Sequence, residues 1–201
     1  MGTIYGVLLA AGESRRMGFP KPLLKIGDET YLAHLAAIML PSVDRLIVVL
    51  GAHSDRIRPA MPQNARITVA ENPNYARGQL SSLKIALAHA HDASAIMMHL
   101  IDHPRVKAAT FRAVLEHYER TGKPIVIARY NGRRGHPVIF DHSLFCELLA
   151  APEDQGARVV VNADPDRVAY CDVADDGILL DLDTPADVAR AGLAGPRATK
   201  D

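Results

Sequence analysis

The chain has 201 residues, 48% of them hydrophobic, with 23 Lys plus Arg against 23 Asp plus Glu, which is length enough for one domain to bury a core without disulfides or metals. Zero formal net charge leaves no global basic field to attract nucleic acid, so any polyanion site must be local. The longest apolar runs, at 4–11 and 46–50, are far too short to span a bilayer, and the opening residues lack the pattern of a secretory signal, so a cytoplasmic protein without a membrane or nucleic-acid partner is expected.

Short β-rich runs alternate with longer stretches of three- and four-residue apolar spacing, the mark of βαβ units in the α/β class. In chain order, the pattern predicts strands at 4–9, 45–50, 66–69, 95–101 and 125–128, with two more at 168–173 and 178–182. Helices are predicted at 31–40, 79–91, 106–120 and 143–150. "GARVVVNAD" reads both ways: residues 158–161 are β-branched, yet Asp154 before them can cap a helix. Residues 1–194 read as one domain and "GPRATKD", 195–201, as a frayed tail. Cys146 and Cys171 form no CxxC pattern and read as reduced thiols.

In an open parallel sheet, ligands bind beyond the carboxyl ends of the strands, and four such places are unusual. After the first strand, "VLLAAGESRRMGFPKPLL" sets Gly12 and Gly18 among Arg15, Arg16 and Lys21. Glycines allow close backbone approach and the cations neutralise charge, so the loop reads as a polyphosphate cradle in which Lys21 is a solvated side chain. Neither GxxxxGK[ST] nor GxGxxG is present. The alternative is a simple turn with solvated arginines. "NPNYARGQLSSL" puts Gly78, Ser81 and Ser82 at a helix start, where they either cap the helix or hold a base or ribose. Asp102 ends an apolar strand, a place from which a carboxylate can hold Mg²⁺. The second ligand would be Asp183 or Asp181, which face the same way if the strand continues to Asp183. Equally, "DTP" reads as a helix start, with Asp183 or Thr184 as cap and Pro185 in the first turn. A zinc site of His99, Asp102 and His103 is disfavoured, because His99 and Asp102 fall on opposite strand faces. "GRRGHPVIF" offers Arg133, Arg134 and His136, or a tight hairpin turning on Gly135 and Pro137.

These segments carry a resemblance. "LAAGESRRMGFPK" resembles the LAAGxSxRMGxxK signature of the molybdenum cofactor nucleotidyltransferase family and its sugar-nucleotide relatives, most of all the cytidylyltransferase branch. "ENPNYARGQLSSL", "IDHP", "GHPVIF" and "DLDTPADV" follow in the family's order. The resemblance implies a three-layer α/β/α, Rossmann-like nucleotidyltransferase fold with a mostly parallel mixed sheet. It implies nucleotide contacts at Leu9, Ala10, Ala11, Gly12, Ser14, Arg16, Gly18 and Lys21, and at Gly78, Gln79, Ser81 and Ser82. Arg16, Lys21 and Asp102 would be catalytic, Asp102 with Asp183 or Asp181 would bind Mg²⁺, and His103 and His136 would border the acceptor. Relatives often have Gln or Met in place of His103. Guanylyltransferases usually have Gly-Gly where this chain has Ala10 and Ala11, which favours CTP. The implied reaction moves CMP from CTP to the terminal phosphate of molybdopterin, with a molybdoenzyme as a further partner for the product. A sugar 1-phosphate acceptor, or a non-catalytic cofactor-binding chaperone, are the alternative readings.

Overall fold

A computed structural model describes residues 2–193 together with residue 195, so the expected frayed tail lies, but for Gly195, outside the described residues. β1 (Ile4–Ala10) is buried at every position. Helices cover both faces of its sheet, which is why its sequence is an apolar run rather than an alternation. The chain continues through β2 (Lys25–Ile26), β3 (Glu29–Thr30), α1 (Tyr31–Met39), β4 (Arg45–Leu50), α2 (Ser54–Ile57), β5 (Ile67–Glu71), α3 (Gln79–His89) and β6 (Ala95–Leu100). Then follow α4 (Ala108–Thr121), β7 (Ile125–Tyr130), β8 (Arg133–Asp141), α5 (Phe145–Ala150), α6 (Arg158–Ala163), β9 (Val168–Asp172) and α7 (Pro185–Arg190).

Seven strands form one sheet in the order β5-β4-β1-β6-β8-β7-β9, and β2 and β3 make a separate ribbon. β8 runs antiparallel to both β6 and β7, whereas β1 is parallel to β4 and β6, β4 to β5, and β7 to β9. On one face, Tyr5, Val7 and Leu9 pack with Leu80, Leu83 and Leu87 of α3 and with Phe145 of α5. On the other, Ile4, Leu8 and Ala10 meet Leu32, Leu35 and Met39 of α1 and Phe111 of α4. The three-layer α/β/α architecture and its mostly parallel mixed sheet are as expected from the sequence. After β1 the chain builds outward through β4 and β5, then crosses back to lay β6 on the other side of β1. That reversal opens a crevice at the carboxyl ends of β1 and β6.

Two local expectations are corrected and one ambiguity is resolved. Gly135 and Pro137 are not turn residues: they lie inside β8, and the hairpin turns at Asn131 and Gly132, with φ of 47° and 77°. Pro137 is tolerated there because the β7–β8 ladder shifts register between Ile127 and Arg129, so residues 135–137 bulge out of the pairing. Residues 178–182 are not a strand: Asp176–Leu179 is a 3-10 turn and the chain then runs extended without a ladder. The segment straps across β8 at Gly135, where a Cβ would stand 2.3 Å from the Ile178 carbonyl oxygen. Buried Asp175 anchors the strap, accepting from the Thr110 hydroxyl at 2.5 Å and from the Lys107 and Gly177 amides at 2.9 and 3.1 Å. The ambiguous "GARVVVNAD" segment resolves as α6, which buries Val160 in the same apolar cluster as α3 and α5.

Candidate functional site

The loop after β1 is shaped by its own backbone. The amides of Met17 and Gly18 both donate to the Ser14 carbonyl at 3.0 Å, and Met17 is buried beneath the turn. Gly18 has φ +69° with open space where a Cβ would be, so it is there for its conformation. The Ser14 hydroxyl accepts from the Lys21 amide at 3.2 Å, closing the loop on itself. The end of β4 supports it from below: the Ala52 amide donates to the Ala11 carbonyl at 3.0 Å. Arg15 is solvated and pairs with Glu13, as the simple-turn reading expects.

Lys21 departs from that reading, because it is 7% exposed and not a solvated lysine. Its Nζ lies 2.6 Å from Asp183 Oδ1 and 3.5 Å from Asp102 Oδ2, while Arg16 Nη2 lies 2.6 Å from Asp183 Oδ2. Burial works against ionisation of Asp183, yet the hydrogen bond and charge of Lys21, joined by Arg16, hold its carboxyl below the usual range. Thr184, rather than Asp183, caps α7 in a capping box with Asp187. The amides of Asp183 and Thr184 both donate to Asp187 Oδ2, at 3.2 and 2.7 Å, which fixes the backbone that presents Asp183. A further bond, from the Leu182 amide to the Asp102 carbonyl at 3.0 Å, staples the two acidic segments together.

A cleft of about 350 Å³ opens above this cluster. Leu9, Ala11, Gly12, Ser14, Arg16 and Lys21 line it from the β1 side, and Gly78, Gln79, Ser82, Asp102 and Asp183 line it from the other elements. Three expected contacts lie elsewhere. Ala10 points into the core on the α1 face, Gly18 faces an adjoining hollow, and Ser81 is turned inward. Ser81 donates to the Gly78 carbonyl at 2.7 Å, so it serves the helix start, as the capping alternative expects. Asn72, 1% exposed, donates to the Ser81 and Ser82 hydroxyl oxygens at 2.8 and 3.0 Å. Ser82, held by this bond, also lines the cleft. Asn72 lies within the segment "NPNYARGQLSSL", but no role was expected of it from the sequence.

A second, wider hollow of about 710 Å³ adjoins the first at Gly78 and Gln79. It opens where β6 ends while the first half of β8 runs on without a partner on that side. Arg133, Arg134, His136, His103 and Asp181 line it. Desolvation, then the neighbouring His103, pushes His136 down to about 4, so its imidazole is neutral near pH 7. Asp183 faces the first cavity and Asp181 the second; because this segment is not a strand, the two do not share a face. Loss of solvent around Asp181 and then the Asp102 charge raise its carboxyl above the usual value. His99 is fully buried against Phe111 and bonds the His103 carbonyl at 3.1 Å. The trio of His99, Asp102 and His103 therefore does not converge on one point.

A model of the MobA-like NTP transferase domain matches residues 6–168. The molybdenum cofactor cytidylyltransferase of Escherichia coli K12 is 27% identical over 191 residues, covering 95% of this chain and 96% of that one. The molybdenum cofactor guanylyltransferase of Sinorhizobium fredii is 32% identical over 103 residues, covering 51% and 47%. The crystal structure of Rv0371c from Mycobacterium tuberculosis superposes with a TM-score of 0.80 at 34% identity, covering 94% of this chain and 96% of that one; the same protein is also solved in complex with manganese. No helix among the described residues is long and apolar enough to cross a membrane.

Proposed function

This chain belongs to the MobA-like NTP transferase family, and from that premise we propose that it transfers CMP from CTP to the terminal phosphate of molybdopterin, releasing pyrophosphate. One observation carries the proposal: Lys21, Arg16, Asp102 and Asp183 meet at the carboxyl ends of β1 and β6, where a narrow cleft joins a wider one. The narrow cleft suits a nucleoside triphosphate and the wider, arginine-flanked hollow a larger phosphorylated acceptor. Transfer between ligands in adjoining cavities needs no protein nucleophile, only alignment and charge stabilisation.

The triphosphate would lie along the amides of Gly12 and its neighbours, drawing Lys21 and Arg16 from Asp183 onto its β- and γ-phosphates. A terminal phosphate oxygen of the acceptor then attacks the α-phosphorus in line, the bond to the β-phosphate oxygen breaks, and pyrophosphate leaves against the same two cations. The Ser82 hydroxyl and the Gly78–Gln79 helix start would hold the nucleoside. His136, a neutral imidazole, would hydrogen-bond the acceptor rather than move a proton.

The acidic pair fits a divalent cation. Asp102 Oδ2 and Asp183 Oδ1 both face Lys21 Nζ, at 3.5 and 2.6 Å, and two carboxylates released from Lys21 and Arg16 offer the hard oxygens that Mg²⁺ takes. Asp102 and Asp183 would hold it, and when bound it would spread the charge that builds on the α-phosphate.

CTP is favoured over GTP by Ala11 at the cleft wall and by a cytidylyltransferase relative that aligns over nearly the whole chain. The same reading takes residues 1–194 as one catalytic domain built on the shared sheet, working in the cytoplasm and passing its product to a molybdoenzyme. Thermal stabilisation by each of the four nucleoside triphosphates, with and without Mg²⁺, tests it. CTP should give the largest Mg²⁺-dependent rise in Tm in the wild type and little in Lys21→Ala; equal rises with all four, or none, contradict it.

A further inference from the structure

Asp102 shows two faces. Its Oδ2 looks toward Lys21 and the narrow cleft, whereas its Oδ1 looks the other way, toward His103 and Asp181. His103 Nε2 lies 3.5 Å from Asp181 Oδ1 and 3.8 Å from Asp102 Oδ1, too far for hydrogen bonds that would satisfy these groups. One donor atom from each of the three residues falls within a common span of 4.8 Å. Asp102 Oδ1 is buried with no partner, and the His103 side chain that presents Nε2 to it is only 9% exposed. Polar atoms left so are costly, and an imidazole beside two carboxylates is a donor set for a cation.

We propose that Asp102, His103 and Asp181 form a first-row transition-metal site at the mouth of the wider hollow, distinct from the Mg²⁺ position between Asp102 and Asp183. The size fits: bonds of roughly 2.0–2.2 Å to nitrogen and oxygen put neighbouring ligand atoms about 3–3.6 Å apart, a small contraction from the observed spacing. The chemistry selects the metal. Mg²⁺ demands oxygen and holds its waters, whereas Mn²⁺, Co²⁺ and Zn²⁺ accept an imidazole readily. The scaffold is already rigid. The His103 carbonyl accepts from His99 Nε2 at 3.1 Å, its amide donates to the Leu100 carbonyl at 3.3 Å, and the bond from the Leu182 amide to the Asp102 carbonyl ties the Asp181 segment to it. The buried, neutral His99 is a positioning residue for this loop. Arg133 and Arg134 line the same hollow as His103 and Asp181, so a phosphate oxygen of the acceptor held there would complete the shell. That last role rests on the proposed transfer reaction; metal binding itself does not.

The test uses metal-free protein without nucleotide. Mn²⁺ is titrated by electron paramagnetic resonance into the wild type and into His103→Gln, Asp181→Asn and Asp183→Asn, each first shown to be folded by its melting curve. One Mn²⁺ should bind per chain, and more than a tenfold excess of Mg²⁺ should be needed to displace it. Its electron spin echo modulation should show a directly bound imidazole nitrogen. His103→Gln should abolish that signal and weaken Mn²⁺ at least tenfold, Asp181→Asn should also weaken it, and Asp183→Asn should leave it nearly unchanged. Undiminished Mn²⁺ binding in His103→Gln, absence of the nitrogen signal, or loss in Asp183→Asn alone overturns the site. Stabilisation by CTP, measured on the same preparations, reports separately on the transfer reading.

Discussion

Lys21 combines two roles that its place in the sequence does not separate. It reads as a loop cation for phosphate, yet it is buried and forms an ion pair at 2.6 Å with Asp183. Lys21→Ala should therefore weaken CTP binding at least tenfold by titration calorimetry and also lower stability by about 1–3 kcal/mol, because a carboxylate loses its nearest partner. Asp102→Asn keeps the side chain's shape and removes its charge. Pyrophosphate release should fall roughly 10²-fold or more, with a Tm close to that of the wild type; normal turnover would show that Asp102 merely ends a strand. The histidines set a pH dependence. Burial holds His99 well below 6.5 and takes His136 from 6.5 to about 4. Below pH 6.5 the unfolded chain thus binds protons that the folded one does not. Stability should be full above pH 6.5 and fall as the pH drops toward those lower values, His136 alone accounting for up to about 2 kcal/mol by pH 5. Melting curves from pH 7.5 to 5 should show that slope in the wild type and a shallower one in His136→Asn.

At the scale of elements, the sequence announces what depends on local pattern and hides what depends on tertiary contact. β1 and β4 are legible because strands buried on both faces are unbroken apolar runs. β8 is not, since Gly135 and Pro137 are turn residues in isolation and become strand residues only through the bulge opposite Ile127 and Arg129. The strap at 178–182 has strand composition, yet it crosses β8 at Gly135 and forms no ladder with it. In the site, the loop cations and Asp102 stand out by residue type and by position after β1 and β6, whereas Asp183 follows a segment that is not a strand, and its pairing with Lys21 is visible only in the fold. Asn72 does not stand out, because its work is to hold two serines nine and ten residues away. The close crossing of strap and strand makes a sharp expectation. Gly135→Ala would drive a Cβ into the Ile178 carbonyl, costing about 1–3 kcal/mol; denaturant titration should show a lower midpoint with an unchanged slope. Since the strap carries Asp181 and leads directly into Asp183, the same variant should lose affinity for CTP. A midpoint equal to that of the wild type would mean that the strap yields.

For the molecule as a whole, function follows from one topological event. The chain lays β4 and β5 on one side of β1 and β6 on the other, so the loops after β1 and β6 part and leave a crevice floored by Asp102. The reversed strand β8 then extends beyond the end of β6 and widens that crevice into a second cavity. A narrow cleft lined by Asp102, Asp183, Arg16 and Lys21 meets, at Gly78 and Gln79, a wider hollow lined by Asp181, Arg133 and Arg134, which gives two phosphorylated ligands adjoining places. The most direct measurement is pyrophosphate release from CTP and from GTP, each with Mg²⁺, in the presence and absence of molybdopterin. Nucleotidyl transfer requires release that depends on the acceptor, is faster with CTP, and yields a cytosine dinucleotide of the cofactor. Binding of both ligands with no acceptor-dependent release of pyrophosphate from either nucleotide would contradict it.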